Sequence, residues 1–152
     1  MEVQEAVERR SSSIDKLHTL LETRTETLAL LNQLAAMRPF KPEEGVQMLL
    51  QEFCESLVDY TASAHFQLYR YLEDGTERRA AVKDLASEIY PRISNITRVI
   101  LDFNEKYEDT ARLNDLETLD RDLSLLGEML ADRINEEDKI INVLILPRRQ
   151  TA

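Results

Sequence analysis

The chain has very little with which to turn. Its 152 residues include only three glycines and four prolines. That is too few for the tight turns of a many-stranded sandwich or barrel. Between these breakers run long stretches with the three-and-four spacing of an amphipathic helix, so the expected fold is all-α. In the first stretch Ile14, Leu17, Leu21, Leu28, Leu31 and Ala35 form a seam that runs to about Met37, and Arg24 interrupts it. Ser11-Ser12-Ser13 suits an N-cap region, and residues 1–12 are read as a frayed start. Arg38-Pro39-Phe40-Lys41-Pro42 stops this helix. The second stretch opens at Pro42, has Glu43 and Glu44 at the positive end of its dipole, and runs to about Leu72. The third begins at Glu77, is broken at Pro91 and ends near Tyr107. The fourth carries Leu116, Leu119, Leu123, Leu126, Leu130, Ile134, Ile141 and Leu144 between about Leu113 and Ile145. Pro147 ends it, and residues 148–152 are read as a flexible tail. Long helices with short connections predict one domain, 1–152, built as an antiparallel bundle of four helical stretches.

Few enzyme classes survive this reading. Cys54 is the one cysteine, beside two histidines, His18 and His65. No intrachain disulfide can form, and no zinc site of the Cys/His kind can be assembled. Glycine-rich phosphate loops and nucleophile elbows are absent from the sequence. A ferritin-like di-iron site needs two Glu-x-x-His motifs, and Asp15-x-x-His18 is a single approximate match. No cofactor, no metal and no catalysis are expected. Met1–Arg10 has no apolar run of the signal-peptide kind, and Val143–Leu146 is far too short for a membrane span, so a soluble cytoplasmic protein is expected.

Charge is the informative property. The formal net charge is −10. Such a chain repels phosphate backbones and attracts basic partners, which argues against direct nucleic-acid binding. From Pro42 to Tyr69 there is no lysine or arginine, while Glu43, Glu44, Glu52, Glu55 and Asp59 make the segment −5. That helix is also apolar on two sides. Val46, Leu50, Phe53, Leu57, Ala64 and Leu68 mark one face; Cys54, Val58, Thr61, His65, Tyr69 and Leu72 mark the other. Asp59 lies between Val58 and Tyr60, where an unpaired buried carboxylate would cost several kcal/mol, roughly. Two arrangements answer this. Arg24 pairs with Asp59 internally, with His65 hydrogen-bonded in the core; or Asp59 belongs to an acidic groove that accepts a basic side chain from a partner. For His65 itself the core position is favoured.

Phe53-Cys54-Glu55-Ser56-Leu57-Val58-Asp59-Tyr60, followed by Ala64-His65-Phe66 and Tyr69, resembles the Rsd/AlgQ family of bacterial anti-sigma factors. Leu101-Asp102-Phe103-Asn104-Glu105-Lys106-Tyr107 supports the resemblance, as do Leu126-Gly127-Glu128 and the run from Arg133 to Lys139. It covers about Ile14 to Leu146. It implies a helical bundle that sequesters the basic C-terminal promoter-reading domain of the housekeeping sigma factor, keeping it from promoter and core RNA polymerase in stationary phase. Through the same resemblance the phosphocarrier HPr or a (p)ppGpp hydrolase is an alternative partner. Asp59 matches the family's sigma-binding aspartate. Ser56, Ser63 and Phe66 share or flank its helical face, and Glu52 and Glu55 extend the acidic contact. Arg24 matches an arginine of the family's first helix and, with His65, is assigned to the polar core. The chain departs from the pattern at Ala64, where glycine is usual, and at Arg70, where an acidic residue is common.

Overall fold

The computed structural model describes residues 2–41, 44–69, 80–108 and 116–145. They fold into α1 (Glu2–Ala35), α2 (Glu44–Ala64) continued directly by a π-helical turn (His65–Tyr69), α3 (Ala80–Tyr107) and α4 (Leu116–Ile145). No strand occurs among the described residues, as expected of a chain so poor in turn formers.

Contacts between helices give their directions. Thr27 meets Ser56, and Met37 lies against Gly45, so α1 and α2 are antiparallel. Arg24 reaches Glu137 and Asp138, whereas Arg38 reaches Asp120 and Ser124, so α4 also runs antiparallel to α1. Along α3, Arg92, Thr97 and Lys106 meet Glu136, Arg133 and Asp122 of α4 in reverse order. α1 packs chiefly on α2 and α3 on α4, while α2 bridges to α3. Phe53 and Phe103 join α2 to α3 edge-to-face, with ring centroids 5.9 Å apart.

The core follows the apolar spacing of α2, α3 and α4 closely. The first face of α2, from Val46 to Leu68, is buried in full, as are Ile93, Ile96, Ile100 and Phe103 of α3 and Leu119, Leu123, Leu126 and Leu130 of α4. Three expectations need correction. In α1 the buried positions are Leu17, Leu20, Thr27 and Leu34, while Leu21, Leu28, Leu31 and Ala35 are only half-buried. The seam is rotated because two polar residues, Arg24 and Thr27, face inward and find partners there. The serine triplet lies within α1, since the helix begins at Glu2. The expected break at Pro91 is also absent, and α3 passes through it. Proline removes the hydrogen bond to the carbonyl four residues back. Here Ser87 and Pro91 are both exposed, so water can serve that carbonyl and the core face is undisturbed. Pro42, Glu43, Asp74-Gly75, Pro147 and the expected tail 148–152 lie outside the described residues.

Pro91 is therefore a cost carried on the solvent side of a continuous helix. Pro91→Ala should stabilise the fold by about 1–3 kcal/mol, read as a higher urea midpoint with an unchanged slope.

Candidate functional site

α4 places two charged residues on its apolar stripe. Arg133 and Glu137 fall at the helical spacing that continues from Leu126 and Leu130, and their side chains are 1% and 0% exposed. A buried carboxylate needs donors on both oxygens. Tyr60 of α2 donates to both oxygens of Glu137 at 2.9 and 3.0 Å, and Tyr69 of the π turn donates to Oε2 at 2.8 Å. Arg24 of α1 donates to Glu137 Oε1 at 3.3 Å and to Asp138 Oδ1 at 2.7 Å. Arg133 Nε stands 3.5 Å from Glu137 Oε2, close enough for charge attraction but without a hydrogen bond. Its Nη1 donates to Thr97 of α3 at 2.8 Å, and its guanidinium carbon lies 5.4 and 5.5 Å from the Tyr60 and Tyr69 ring centroids. All four helices meet at one carboxylate and its arginine.

A second feature is on the outside. Glu26 and Leu30 of α1 join Glu52, Glu55, Ser56 and Asp59 of α2 around a cleft of about 200 Å³. Among the described residues no lysine or arginine pairs with any of its four carboxylates. Glu55 accepts one weak hydrogen bond, from Gln51 at 3.5 Å. The cleft floor is held by Thr27, whose hydroxyl lies 2.8 Å from Ser56 Oγ and donates within its own helix to the Thr23 carbonyl at 2.8 Å. A surface of this kind attracts positive charge, such as a basic side chain. On the far side of α2, Val58, Phe66 and Leu101 are exposed around a shallow groove of about 570 Å³ between α2 and α3.

Asp59, Glu52 and Glu55 are thus brought together at the surface, and Ser63 and Phe66 follow on toward the end of α2, half-buried and exposed respectively. The internal Arg24–Asp59 pair does not form. Arg24 is committed to Glu137 and Asp138, and Asp59 points outward on the opposite side of its helix from Leu57 and Tyr60. His65 is exposed and packs its ring edge-to-face on Phe66, 5.1 Å away, so it is not a core residue. The second apolar face of α2 is open to solvent at Val58 and His65, which removes the need to bury the imidazole. Ser56 is buried and its hydroxyl is engaged by Thr27, so it shapes the cleft floor and is not a free contact. The sequence reading missed Glu26, Thr27 and the Tyr60–Tyr69–Arg133–Glu137 cluster. The available signal for the cluster was a charged pair four residues apart on the apolar stripe of α4.

The family model for regulators of the RNA polymerase sigma(70) subunit, Rsd/AlgQ, matches residues 1–145. The chain belongs to the Rsd/AlgQ family. This is a family of regulators and not an enzyme family. Curated relatives agree. A regulator of sigma D from Yersinia enterocolitica is 32% identical over 108 residues, 66% of this chain and 65% of that protein. One from Enterobacter is 31% identical over 149 residues, 92% of this chain and 86% of the relative, and one from Yersinia pseudotuberculosis is 29% identical over 138 residues, 88% and 82%. No solved structure matches the chain. Asp59 of this Rsd/AlgQ member thus lies in the acidic cleft, while Arg24 lies in the internal network. Among the described residues no helix is long and apolar enough to cross a membrane.

The network makes two predictions. Glu137→Ala leaves Arg133 buried without its counter-charge and should cost about 3–5 kcal/mol, and Tyr69→Phe about 1–3 kcal/mol, both measured by urea denaturation. The second concerns alkaline pH. Burial, and then the charge of Glu137, pushes the Tyr60 and Tyr69 hydroxyls well above the ordinary phenol range. Burial, and then the charges of Glu108 and Glu55, pushes the Cys54 thiol up to about 12. The unfolded chain releases these protons first, from about 8.5 for the thiol and about 10 for the phenols. Their contribution is therefore complete below those values and is lost as pH rises past them toward the folded values. The urea midpoint should fall progressively above about pH 9, and Cys54→Ala with Tyr69→Phe should flatten the decline.

Proposed function

We propose that the chain is a stoichiometric anti-sigma regulator that captures the basic C-terminal promoter-reading domain of the housekeeping sigma factor in the cleft of Glu26, Glu52, Glu55 and Asp59. The carrying observation is that these four carboxylates face outward together with no internal counter-ion among the described residues. Among the described residues α2 has no basic side chain to neutralise them. A domain built to contact DNA phosphates is basic, so the same side chains that would meet the promoter fit this cleft. Long-range attraction by the net charge of −10 would speed the encounter. Holding that face denies it to the promoter, and the bulk of the bundle would obstruct its assembly on core polymerase. No bond is made or broken, and regulation follows from mass action. That the relatives are regulators of sigma D supports the choice of a sigma subunit as the partner.

Isothermal titration of the full chain against the sigma C-terminal domain of the same organism tests this. A one-to-one complex is expected that weakens steeply with salt, with affinity about a hundredfold lower for Asp59→Arg. Asp59 is exposed, so circular dichroism should show the variant folded. Binding that ignores both salt and Asp59→Arg would overturn the cleft as the site. No binding by the folded wild type would overturn the partner.

A further inference from the structure

The groove between α2 and α3 is walled by helix surfaces on both sides. On α3 it follows Tyr90, Ile93, Thr97, Leu101 and Asn104, and on α2 Val58, Ala62 and His65, each set recurring at three-and-four spacing. Tyr90 to Asn104 spans fourteen residue steps, about 21 Å or four helical turns. Val58, Tyr90 and Leu101 present large apolar side chains along it, 51%, 37% and 55% exposed. One such side chain alone is ordinary on a surface, but three lining one groove mark an interaction site. The groove differs from the acidic cleft in charge, since its rim carries Arg98 and Asp102, one of each sign. Its floor supplies a second, independent observation. Asn104 is only 6% exposed, and neither its Oδ1 nor its Nδ2 has a hydrogen-bond partner among the described residues. Arg133, also on the floor, is already engaged by Thr97 and Glu137. A buried carboxamide with its donor and its acceptor both unmet is costly to a fold and calls for a partner.

We propose that this groove is a second docking site, separate from the acidic cleft, and that its occupant is an amphipathic helix of a partner protein, near-neutral and about four turns long, with one carboxamide side chain toward an end of its apolar stripe set against Asn104. A helix is the occupant because ridges at three-and-four spacing on both walls accept the ridges of a third helix between them. Its apolar stripe takes Val58, Tyr90 and Leu101 out of water. The carboxamide follows from the chemistry of Asn104: an asparagine or glutamine side chain brings an acceptor for Nδ2 and a donor for Oδ1 in one plane. A single polar pair within an apolar seam fixes register between helices in the same way. A wholly apolar stripe would cover the Asn104 amide and leave it unpaired, so the groove selects against it. The mixed charge of the rim gives a basic face no electrostatic preference for this groove, which divides its occupant from that of the cleft. The proposal does not depend on the sequestration reading.

Two synthetic helical peptides of about fourteen residues and zero net charge test this by fluorescence anisotropy against the full chain. Both carry a leucine stripe, and one has asparagine in place of leucine at the stripe position nearest one end. The asparagine peptide should bind the wild type about tenfold more tightly than the leucine peptide, with little dependence on salt. Asn104→Leu should invert that preference. Its urea midpoint should equal or exceed that of the wild type, because an unmet amide has left an apolar floor. Leu101→Glu, at an exposed position, should weaken both peptides about tenfold or more in a protein that circular dichroism shows folded. Asp59→Arg should leave both affinities as they were. Failure of both peptides to bind the folded wild type overturns the docking site. A preference that survives Asn104→Leu overturns Asn104 as its reader, and a lowered urea midpoint in that variant returns the amide to the hydrogen bonding of the fold itself. Loss of peptide binding in Asp59→Arg overturns the separation of groove from cleft.

Discussion

The burial of the Glu137 carboxylate sets the terms for the rest of the bundle. An ion with no exposure is tolerable only if its donors are held in place. Those donors come from α1 (Arg24), α2 (Tyr60) and the π turn (Tyr69), with Arg133 alongside and tied in turn to α3 through Thr97. Apolar packing alone would let four amphipathic helices slide or rotate against one another at modest cost. A carboxylate that needs three partners from three segments permits one register. Its contribution is thus chiefly to uniqueness, while Leu50, Phe53, Leu57, Ile100 and Leu123 supply the burial that drives folding.

The same network governs the surface. Arg24 and Arg133 are engaged internally, so these two positive charges are turned away from Glu26 and Asp59. α2 contributes Tyr60 inward and Asp59 outward at adjacent positions. One helix thus serves the polar core and the acidic cleft at once, with its hydroxyl donor and its carboxylate on different sides. The cleft depends on this division: a basic side chain left free near α2 would close it with an internal ion pair.

Much of this was legible in the residues. The helical class followed from missing turn formers and from apolar spacing, and the first face of α2 and most of the α3 and α4 stripes are buried as that spacing indicates. The acidity of α2 was plain from its composition. What spacing could not convey was polar pairing across the bundle. Arg24 looked like a misfit in its seam and drew Asp59 as a partner, because Asp59 is flanked by Val58 and Tyr60 in the most apolar stretch. The true partner, Glu137, lies more than a hundred residues away. Thr27 was passed over for the same reason: an inward polar residue is invisible until the helix carrying its acceptor is in place. His65 was assigned inward because aromatic and small residues surround it on the helical wheel, yet the groove between α2 and α3 leaves that side open. Pro91 misled in the opposite direction, since its cost depends on whether the freed carbonyl meets water or protein.

The π turn at His65–Tyr69 has a consequence for how this chain can vary in length. Tyr69 stands nine positions after Tyr60. In an uninterrupted α-helix that is about two and a half turns, which would aim the two rings in opposite directions. The wider turn rotates the chain less for each residue and brings both hydroxyls round to one carboxylate. The number of residues between the tyrosines is therefore a dimension of the molecule in its own right. A relative that gained or lost one residue there could keep every side chain of the core and still have a helix out of phase with its own buried charge.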